Sequence, residues 1–245
     1  MYVDKKSPIP VYYQLRKIIL GKIESGVYRP GDVIPSEREL GDSLNISRMT
    51  VRQALNQLVN EGVLYREKGK GTFVSRVKFE QKNIMSFSDL VRKKGLIPST
   101  RVLNFNKVKV PHEIAEILEI KENDIIYNFR RLRLAGQMPV GIEEVFIPER
   151  YCPGLENLDL TGSLYKLVRE EYSHVISYVD NTIESSAPSK DEKKLLDISK
   201  KGTSILRING IYYTDSQIKL FYEKSIYNSE EYKYSVRVYV HKDIE

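Results

Sequence analysis

The sequence predicts an α+β protein in two parts, and three observations predict it. Apolar residues recur at helical spacing in three stretches before residue 62. Two β-prone runs joined by a glycine-containing loop follow these stretches. From residue 99 onward, runs rich in Val, Ile, Tyr, Phe and Thr outnumber the helical stretches, which is typical of an α+β domain on a mostly antiparallel sheet. We place the first domain at residues 1–76, a linker at 77–84 and the second domain at 85–245.

The first helix is predicted to start after Pro10 and to stop at Gly26. Its apolar residues recur every three or four positions, so they form one stripe that packs against a core. The residues of this stripe are Val11, Leu15, Ile18, Ile19 and Ile23.

The second and third helices are predicted from their capping residues. The stretch 36–39, Ser-Glu-Arg-Glu, matches a capping box, in which Ser36 and Glu39 each satisfy a backbone N–H group at the helix start. That helix ends near Asn45, and Ser47 then caps a third helix that stops at Gly62. Two helices separated by a short turn predict a helix-turn-helix.

A hairpin with a basic tip is predicted next. Residues 63–66 and 72–74 are β-prone, and they flank a loop with the sequence Glu-Lys-Gly-Lys-Gly. The residues 77–84 that follow show no period, which makes them the linker. In the second domain, strands are predicted at 99–110, 124–135, 140–147, 174–184, 203–214, 218–227 and 234–240, and helices at 86–94, 111–119, 162–171 and 188–196.

The positive charge of the chain is concentrated in its first third. The whole sequence holds 39 Lys and Arg against 33 Asp and Glu. Residues 1–76 hold 13 of the former and 8 of the latter, a net charge of +5, whereas the remaining 26 and 25 leave +1. A concentrated positive charge indicates an anionic partner for the first domain.

Several classes of protein are excluded or disfavoured. No apolar run approaches the roughly 18 residues of a membrane helix, and the N-terminus lacks a signal peptide, so we expect a cytoplasmic protein that does not bind membranes. Cys152 is the single cysteine and has no neighbouring histidine, which predicts an inert thiol. His112, His174 and His241 are scattered singly. We therefore expect no catalytic residue, no metal, no cofactor and no enzymatic activity.

The third helix presents side chains suited to reading DNA. Arg48 and Arg52 are four residues apart, so they lie one turn apart on the face opposite the apolar stripe. A recognition helix enters the major groove by its N-terminal turns, where a guanidinium donates two hydrogen bonds to O6 and N7 of guanine. The helix N-terminus and the hydroxyls of Ser47 and Thr50 can hold a phosphate.

The preceding helix and the hairpin complete this surface. Ser36 and Arg38 can also hold a phosphate, and Lys68 and Lys70 alternate with two glycines, so the hairpin tip can approach a minor groove closely. Together these features predict a winged-helix DNA reader. The predicted DNA-binding residues are Ser36, Arg38, Ser47, Arg48, Thr50, Arg52, Gln53, Lys68, Gly69, Lys70, Gly71 and Thr72. The alternative is an ordinary solvated face with simple turn glycines.

Four segments of the first domain resemble a known family. They are PIPVYYQL at 8–15, GDVIPSEREL at 31–40, SRMTVRQAL at 47–55 and GKGTFV at 69–74. In this order they are similar to the successive motifs of GntR-type bacterial transcription regulators. The resemblance implies that Arg38, Arg48 and Arg52 contact DNA, with the 69–71 wing in the minor groove.

The second domain carries residues that suit an anion. Arg131 and Arg133 are two apart on a predicted strand, so both point to one face of the sheet, whereas Arg130 points to the other. Two guanidiniums on a covered face need a counter-anion, because burying unpaired charge is unfavourable. The alternative is that these arginines pair with protein carboxylates such as Glu143 or Glu144.

Helix starts add to this pattern. Ser86 and Ser88 open one predicted helix and Ser163 opens another, and a helix N-terminus offers unpaired N–H groups to a phosphate or carboxylate. Glu143 can accept from sugar hydroxyls or from an amine. The sequence therefore predicts a pocket for a small anion in the second domain.

The second domain resembles the effector-binding UTRA domain of the HutC subfamily, whose fold is like that of chorismate lyase. The resemblance lies in the segments around 86–95, 131–134, 143–148, 162–165 and 225–232. It implies a phosphorylated sugar as the effector. The predicted effector-binding residues are Ser86, Phe87, Ser88, Arg131, Arg133, Glu143, Ser163, Tyr165, Glu223 and Tyr232.

One position departs from the pattern of this subfamily. Members that respond to sugar phosphates commonly have an acid a little before the serine that Ser225 matches, whereas Glu223 is only two positions ahead. An even shift keeps a residue on the same face of a strand and changes its depth. Glu223 therefore has the right face for the pocket, while its depth on the strand leaves two alternatives, that it substitutes for this acid or that it does not.

Taken together, the sequence predicts a homodimeric repressor that binds a palindromic double-stranded operator and responds to a small anionic effector. The alternatives are a lyase-like enzyme in the second domain, a DNA binder that is indifferent to sequence, an activator, and an effector that is a non-phosphorylated carboxylate.

Overall fold

A computed structural model describes residues 2–75, 79–81 and 85–236 of the chain. Two compact units divide it. The first comprises Met1–Val77, Val91–Ser99 and Leu134–Met138, and the second comprises Lys78–Leu90, Thr100–Arg133 and Pro139–Glu245. The first unit thus contains two short segments that the predicted boundaries assign to the second domain.

The first part of the chain is a three-helix fold with a small antiparallel sheet. Its elements are α1 (Val11–Glu24), β1 (Val33–Ile34), α2 (Glu37–Leu44), α3 (Arg48–Asn60), β2 (Leu64–Glu67) and β3 (Gly71–Val74). The strands lie in the order β1-β3-β2. The two-residue strand β1 is not predicted by the sequence, because so short a stretch shows no period.

Capping residues set the helix starts as predicted. The Ser36 hydroxyl accepts from the backbone N–H of Glu39 at 3.2 Å, and the Glu39 carboxylate accepts from the backbone N–H of Ser36 at 2.7 Å. Asn45 has a φ of 51°, the left-handed conformation that ends α2. The Ser47 hydroxyl accepts from the backbone N–H of Thr50 at 3.1 Å and starts α3.

The second part of the chain is a six-stranded sheet with helices on both faces. Its elements are β4 (Phe79–Gln81), α4 (Phe87–Lys93), β5 (Pro98–Lys109), α5 (His112–Leu118), β6 (Ile125–Ala135), β7 (Met138–Pro148), α6 (Leu164–Tyr172), β8 (Ile176–Ser186), α7 (Lys190–Leu195), β9 (Ile205–Thr214), β10 (Lys219–Asn228) and β11 (Tyr232–Tyr234). The strand order is β5-β6-β7-β10-β9-β8, and the β7–β10, β10–β9 and β9–β8 pairs are antiparallel. The α+β class is confirmed.

The segment predicted as a linker contains a strand. Residues 79–81 form β4, which pairs in parallel with β11. Its partner is about 150 residues away, so no local pattern reveals the pairing. The strand predicted at 234–240 is seen as Tyr232–Tyr234. Residues 77, 78, 82–84 and 237–245, the last range including His241, lie outside the described residues.

The two faces of the six-stranded sheet have separate cores. On one face, Phe129 and Val145 pack with Leu164 and Val168 of α6. On the other, Ile126 and neighbouring side chains pack with α5. Because side chains alternate along a strand, the odd-numbered residues of β6, β7 and β10 face α6. Within the described residues, no helix is long and apolar enough to cross a membrane.

Candidate nucleic-acid interface and ligand cavity

The third helix has one buried and one exposed face. Val51, Ala54, Leu55 and Leu58 are buried in the core of the small domain. On the opposite side Arg48, Arg52 and Gln53 are exposed, and Thr50 is half-buried. The structure therefore places the predicted reading residues of α3 on its solvent face, with Arg48 and Arg52 one turn apart.

Most of the predicted DNA-binding cations are exposed and have a carboxylate partner within the first domain. Arg38 Nε lies 3.7 Å from Asp42 Oδ2, Arg52 Nη2 lies 2.9 Å from Glu37 Oε2, and Lys70 Nζ lies 3.0 Å from Glu67 Oε2. Exposed ion pairs of this kind contribute about 0–1 kcal/mol each. Because these pairs use only some of the N–H donors of each cation, a phosphate or a base edge can bind to the remaining donors.

The hairpin tip has the backbone that its glycines suggested. Gly69 has a φ of 77° and Gly71 a φ of 125°, conformations that side chains other than glycine rarely adopt. Lys68 and Lys70 are exposed at this tip. Thr72 lies in β3 opposite Arg66 of β2, and Arg66 is a further exposed cation that the sequence did not single out.

The two predicted serines of this surface are helix caps. Ser36 and Ser47 each accept from a backbone N–H of the helix that they begin. The Ser47 hydroxyl also lies 2.8 Å from the Thr50 hydroxyl. A capping oxygen accepts, so the hydroxyl hydrogen stays available for donation to a phosphate.

A narrow cavity lies between the centre of the six-stranded sheet and the start of α6. It opens to solvent and has a volume of about 30 Å³. Eight of the predicted effector-binding residues line it: Ser86, Phe87, Arg131, Arg133, Glu143, Ser163, Tyr165 and Glu223. The sequence missed Gln81, Met85, Leu164, Tyr212 and Tyr227, which also line it.

The remaining two predicted residues lie behind this lining. Ser88 is buried, and its hydroxyl accepts from Arg133 Nη2 at 3.0 Å. The Tyr232 ring stacks on Tyr227 with centroids 3.8 Å apart, and its hydroxyl donates to the side-chain oxygen of Gln81. Both residues hold a lining residue in place.

Two arginines on the cavity wall share one carboxylate. Arg131 Nη2 donates to Glu143 Oε2 at 2.6 Å, and Arg133 Nε lies 3.6 Å from Glu143 Oε1. Both Nη1 groups donate to the carbonyl of Gly162, at 3.3 and 3.2 Å. Pairing with Glu143, the alternative that the sequence left open, is therefore present. Glu144 has no part in it and accepts from Asn128 instead.

This pairing does not satisfy the two arginines. The Nε groups of Arg131 and Arg133 are buried and find no hydrogen-bond acceptor among the described residues. Burial lowers the pKa of Arg133, while the charge of Glu143 acts in the opposite direction. Two cations against one close carboxylate leave unmatched positive charge and unmatched donors on the wall of the cavity.

A second acid, Glu223, faces the same cavity from β10. Burial, and next the nearby charge of Glu143, raise the pKa of Glu223 to about 7. The Ser225 hydroxyl donates to Glu223 Oε1 at 2.6 Å and partly opposes this rise. In the sheet register Ser225 lies opposite Glu143, so all three side chains point to the same face. Near neutral pH the Glu223 carboxyl is therefore poised between its two protonation states.

Aromatic hydroxyls provide the other polar groups. Burial raises the pKa of Tyr165, Tyr212 and Tyr227 well above the usual value for tyrosine. Their hydroxyls stay protonated at neutral pH and can donate or accept within the cavity.

The lone thiol takes no part in either site. Cys152 is buried among apolar side chains, and burial raises the pKa of this thiol to about 12. Within the described residues, no cluster of three His, Cys, Asp or Glu side chains has the geometry to hold a metal ion.

Comparison with known proteins decides the family. The profile of the bacterial regulatory proteins of the gntR family matches residues 11–74, and that of the UTRA domain matches residues 93–233. The chain belongs to the GntR family. It is a DNA-binding transcription regulator with a UTRA domain, as the sequence resemblance implied.

Relatives of this GntR regulator cover nearly its whole length. It is 36% identical over 96% of its length to the HTH-type transcriptional repressor NagR of Bacillus subtilis, and the match spans 97% of that protein. It is 28% identical to the mannosyl-D-glycerate transport/metabolism system repressor MngR of Escherichia coli, over 93% of this chain and 95% of that one. The crystal structure of PhnF from Mycobacterium smegmatis shares the fold, with a TM-score of 0.68 and 23% identity over 94% of this chain and all of that one.

A sequence signal existed for some of the lining residues of the UTRA cavity that were missed. Tyr227 shares a strand face with Glu223 and Ser225, because residues two apart on a strand point the same way. Tyr212 sits on the neighbouring strand β9, whose register with β10 has an irregularity between Lys219 and Phe221. The alternation of side chains along β9 alone therefore does not predict that Tyr212 lines the cavity, because the register between β9 and β10 is also needed. Gln81 lies on β4, which has no periodic signal.

Proposed function

We propose that this GntR regulator is a sequence-specific transcriptional repressor whose operator binding is modulated by a small anionic effector, a phosphorylated sugar, in the UTRA cavity. The observation that carries the effector class is the pair of buried arginine Nε groups without an acceptor on the cavity wall. The repressor role is supported by the relatives NagR and MngR, which are both named as repressors.

The charge of the cavity supports an anion. Arg131 and Arg133 bring two positive charges, and Glu143 brings one negative charge at 2.6 Å from the first and 3.6 Å from the second. With Glu223 protonated, the buried set has a net charge of +1. A phosphate that accepts from the two Nε groups would satisfy both the charge and the donors.

The other lining groups support a sugar. Ring hydroxyls need both acceptors and donors, and the cavity offers the Glu143 and Glu223 carboxyls beside the tyrosine hydroxyls. The aromatic rings of Phe87 and Tyr165 add apolar surface for the face of a sugar ring. This set is poorly matched to a bare inorganic ion.

A sugar carboxylate is a second candidate effector. The relative MngR is named for mannosyl-D-glycerate, which joins a sugar to a carboxylate. A carboxylate can accept from the same two guanidiniums with fewer oxygens than a phosphate.

The position of strand β4 supports the proposal that effector binding alters operator binding. Gln81 of β4 and Met85 line the cavity, and they belong to the stretch that connects the helical reader to the sheet. An occupant of the cavity would touch this stretch directly. A ligand shifts the DNA-bound fraction only as far as its affinity differs between the two states, so contact with the connecting stretch provides a physical basis for such a difference.

We place the reader on DNA as one half of a homodimer. In that arrangement α3 lies in the major groove with Arg48 and Arg52 toward base edges, Ser36, Arg38, Ser47 and Thr50 lie toward phosphates, and the 68–71 tip lies at the minor groove. Twofold symmetry of the protein requires a palindromic operator.

Thermal unfolding of the full chain with a ligand panel tests the effector. The panel contains glucose 6-phosphate and other hexose phosphates, the parent sugars, and sugar carboxylates such as gluconate. A ligand that binds only the folded state at 100 times its Kd stabilises it by about 2.7 kcal/mol, so at least one hexose phosphate should raise Tm and its parent sugar should not. A rise with carboxylates and none with phosphates would make the second candidate correct.

The matched control lies on the same strand. Arg130 is on the opposite face of β6 and pairs with the exposed Asp191 at 3.0 Å. The Tm shift should survive in Arg130→Ala and disappear in Arg133→Ala, with folding of each variant checked by circular dichroism. Band-shift titration of operator DNA with the ligand that raises Tm then measures its effect on DNA binding.

A further inference from the structure

A single carboxylate lies between the two elements that we place on DNA. Glu37 is the first residue of α2, and its side chain is 24% exposed. Its Oε2 accepts from Arg52 Nε at 2.9 Å, and its Oε1 accepts from Arg66 Nη2 at 3.0 Å. One carboxylate of α2 therefore joins α3 to the wing strand β2.

The contact fixes which edge of Arg52 is presented to solvent. Nε and Nη2 of Arg52 both lie 2.9 Å from Glu37 Oε2, so the side edge of the guanidinium faces the carboxylate. The distal edge, formed by Nη1 and the second hydrogen of Nη2, donates to none of the described residues. A guanidinium has five N–H donors in a rigid plane, so fixing one edge fixes the direction of the other.

The carboxylate that fixes this direction also lowers the positive charge of the surface. Arg52 and Arg66 together bring +2, and the carboxylate of Glu37 reduces the local charge to +1. Phosphates repel that carboxylate wherever the surface lies on DNA, whatever the sequence of the DNA. The charge of Glu37 therefore opposes binding to every duplex alike, so Glu37 can add to the preference for one duplex only through the geometry of Arg52.

We propose that Glu37 is a positioning residue for base reading, which orients the distal edge of Arg52 toward O6 and N7 of a guanine and couples that arginine to the wing through Arg66. The inference rests on the proposed role of Arg52 in the major groove. It adds a specificity-determining carboxylate and a wing arginine to that role.

This arrangement has a consequence that a structural role in α2 does not have. Without the negative charge of Glu37, the guanidinium of Arg52 is no longer held in one direction. Arg52 and Arg66 both become available to phosphates. Binding to non-specific DNA should therefore tighten while preference for the operator falls. If Glu37 only stabilised the fold, Glu37→Gln would tighten binding to all duplexes alike and leave the preference for the operator unchanged, as we expect for Asp42→Asn.

The test uses the full chain and measures discrimination. An operator is selected from random duplexes with the unaltered protein, and Kd is then measured for this operator, for operators with single guanine changes, and for non-specific duplex at several salt concentrations. For Glu37→Gln we expect at least a fivefold loss of discrimination at one guanine, the lower end of the effect of a bidentate contact. We also expect tighter non-specific binding with a slope of log K against log salt that is steeper by about one unit, because one more cation reaches phosphate.

Asp42→Asn is the matched control. Asp42 is on the same helix and carries the same charge, but its partner is Arg38 at 3.7 Å and it does not contact Arg52. The charge change in Asp42→Asn should tighten non-specific binding without loss of discrimination at the guanine that Glu37→Gln affects. Thermal unfolding of both variants shows that each is folded at the temperature of the assay.

Three results are possible, of which two contradict part of the proposal and one supports it. If Glu37→Gln discriminates as well as Asp42→Asn while Arg52→Ala loses the same guanine, the positioning role is wrong and the role of Arg52 stands. If Arg52→Ala retains full discrimination, the proposed reading by Arg52 is itself wrong. If both single variants and the double variant Glu37→Gln with Arg52→Ala lose discrimination at one guanine to the same extent, the two residues act as one unit, as proposed.

Discussion

The arginines of the reading surface and those of the UTRA cavity differ in their access to water. The Arg52 side chain is 54% exposed, and that of Arg131 is 3% exposed. An exposed guanidinium is solvated already, so it can gain or exchange partners at small cost, whereas a buried one depends on the partners that the fold supplies. The same side chain thus suits both of the roles proposed above, a surface that binds a polymer reversibly and a cavity that takes one small anion.

The largest expected difference between the buried and the exposed arginines is in their contribution to the free energy of unfolding. Arg131→Ala removes the buried 2.6 Å hydrogen bond to Glu143 while Arg133 still balances the charge of that carboxylate, so it should lower the free energy of unfolding by about 1.5–3 kcal/mol. Urea denaturation at pH 7.5 measures this loss. Arg52→Ala breaks an exposed pair and should lower the free energy of unfolding by about 1 kcal/mol or less. Equal losses in the two variants would show that burial does not distinguish these arginines.

The double variant Arg48→Ala with Arg52→Ala should lose operator preference. Each arginine that reads a guanine contributes about 1–3 kcal/mol of discrimination, and this contribution is absent on non-specific DNA. The ratio of the two Kd values measures it. Arg29→Ala, which removes an exposed charge elsewhere in the same domain, is the control and should keep the ratio. An unchanged ratio in the double variant contradicts the assignment of α3 as the recognition helix.

Affinity for an anion in the cavity should fall as pH rises through 7. Because the pKa of Glu223 is raised to about 7, its carboxyl is mostly neutral at pH 6 and mostly ionised at pH 8. The ionised form adds a negative charge beside the arginines, so binding should weaken by up to about tenfold between these pH values. A hexose sulfate ester, whose own charge is constant, is the suitable ligand for calorimetry. The dependence should be flat in Glu223→Gln, and an equally steep dependence there would assign it to another group.

The smallest effect is expected at the wing. Lys70 is exposed and pairs with Glu67 at 3.0 Å. Lys70→Ala should weaken binding to all duplexes alike and should reduce the slope of log K against log salt by about one unit, because one phosphate contact is lost. Salt titration with operator and non-specific duplex checks this. A change of the operator preference would mean that Lys70 reads bases.

Local signals in the sequence predicted much of the fold. The capping box at Ser36 and Glu39 predicted the start of α2, and the alternation in β6 placed Arg131 and Arg133 on one face. In both cases the information lies within a few neighbouring residues. The pairing of β4 with β11 was not predictable, because each strand has three residues and its partner is far along the chain.

The limits were similar at the two sites. Sequence spacing identified the exposed arginines of α3, yet Glu37 was missed because its partners Arg52 and Arg66 are 15 and 29 residues away. In the cavity, spacing indicated a cluster of arginines and acids without deciding whether they pair. The pairing depends on the register of β7 and β10, which brings Glu143 and Ser225 opposite each other. Such contacts depend on the tertiary structure, and no local pattern in the sequence predicts them.

The parallel pairing of β4 with β11 bears on how proteins of this kind diversify. Along the described chain β4 precedes the six-stranded sheet and β11 follows it, so Phe79 and Tyr234 lie within about 10 Å of each other, the length of a three-residue strand. A domain with adjacent ends can be joined to, exchanged for or inserted beside another domain without disturbing its own core. Recombination can then combine one DNA reader with many ligand sensors.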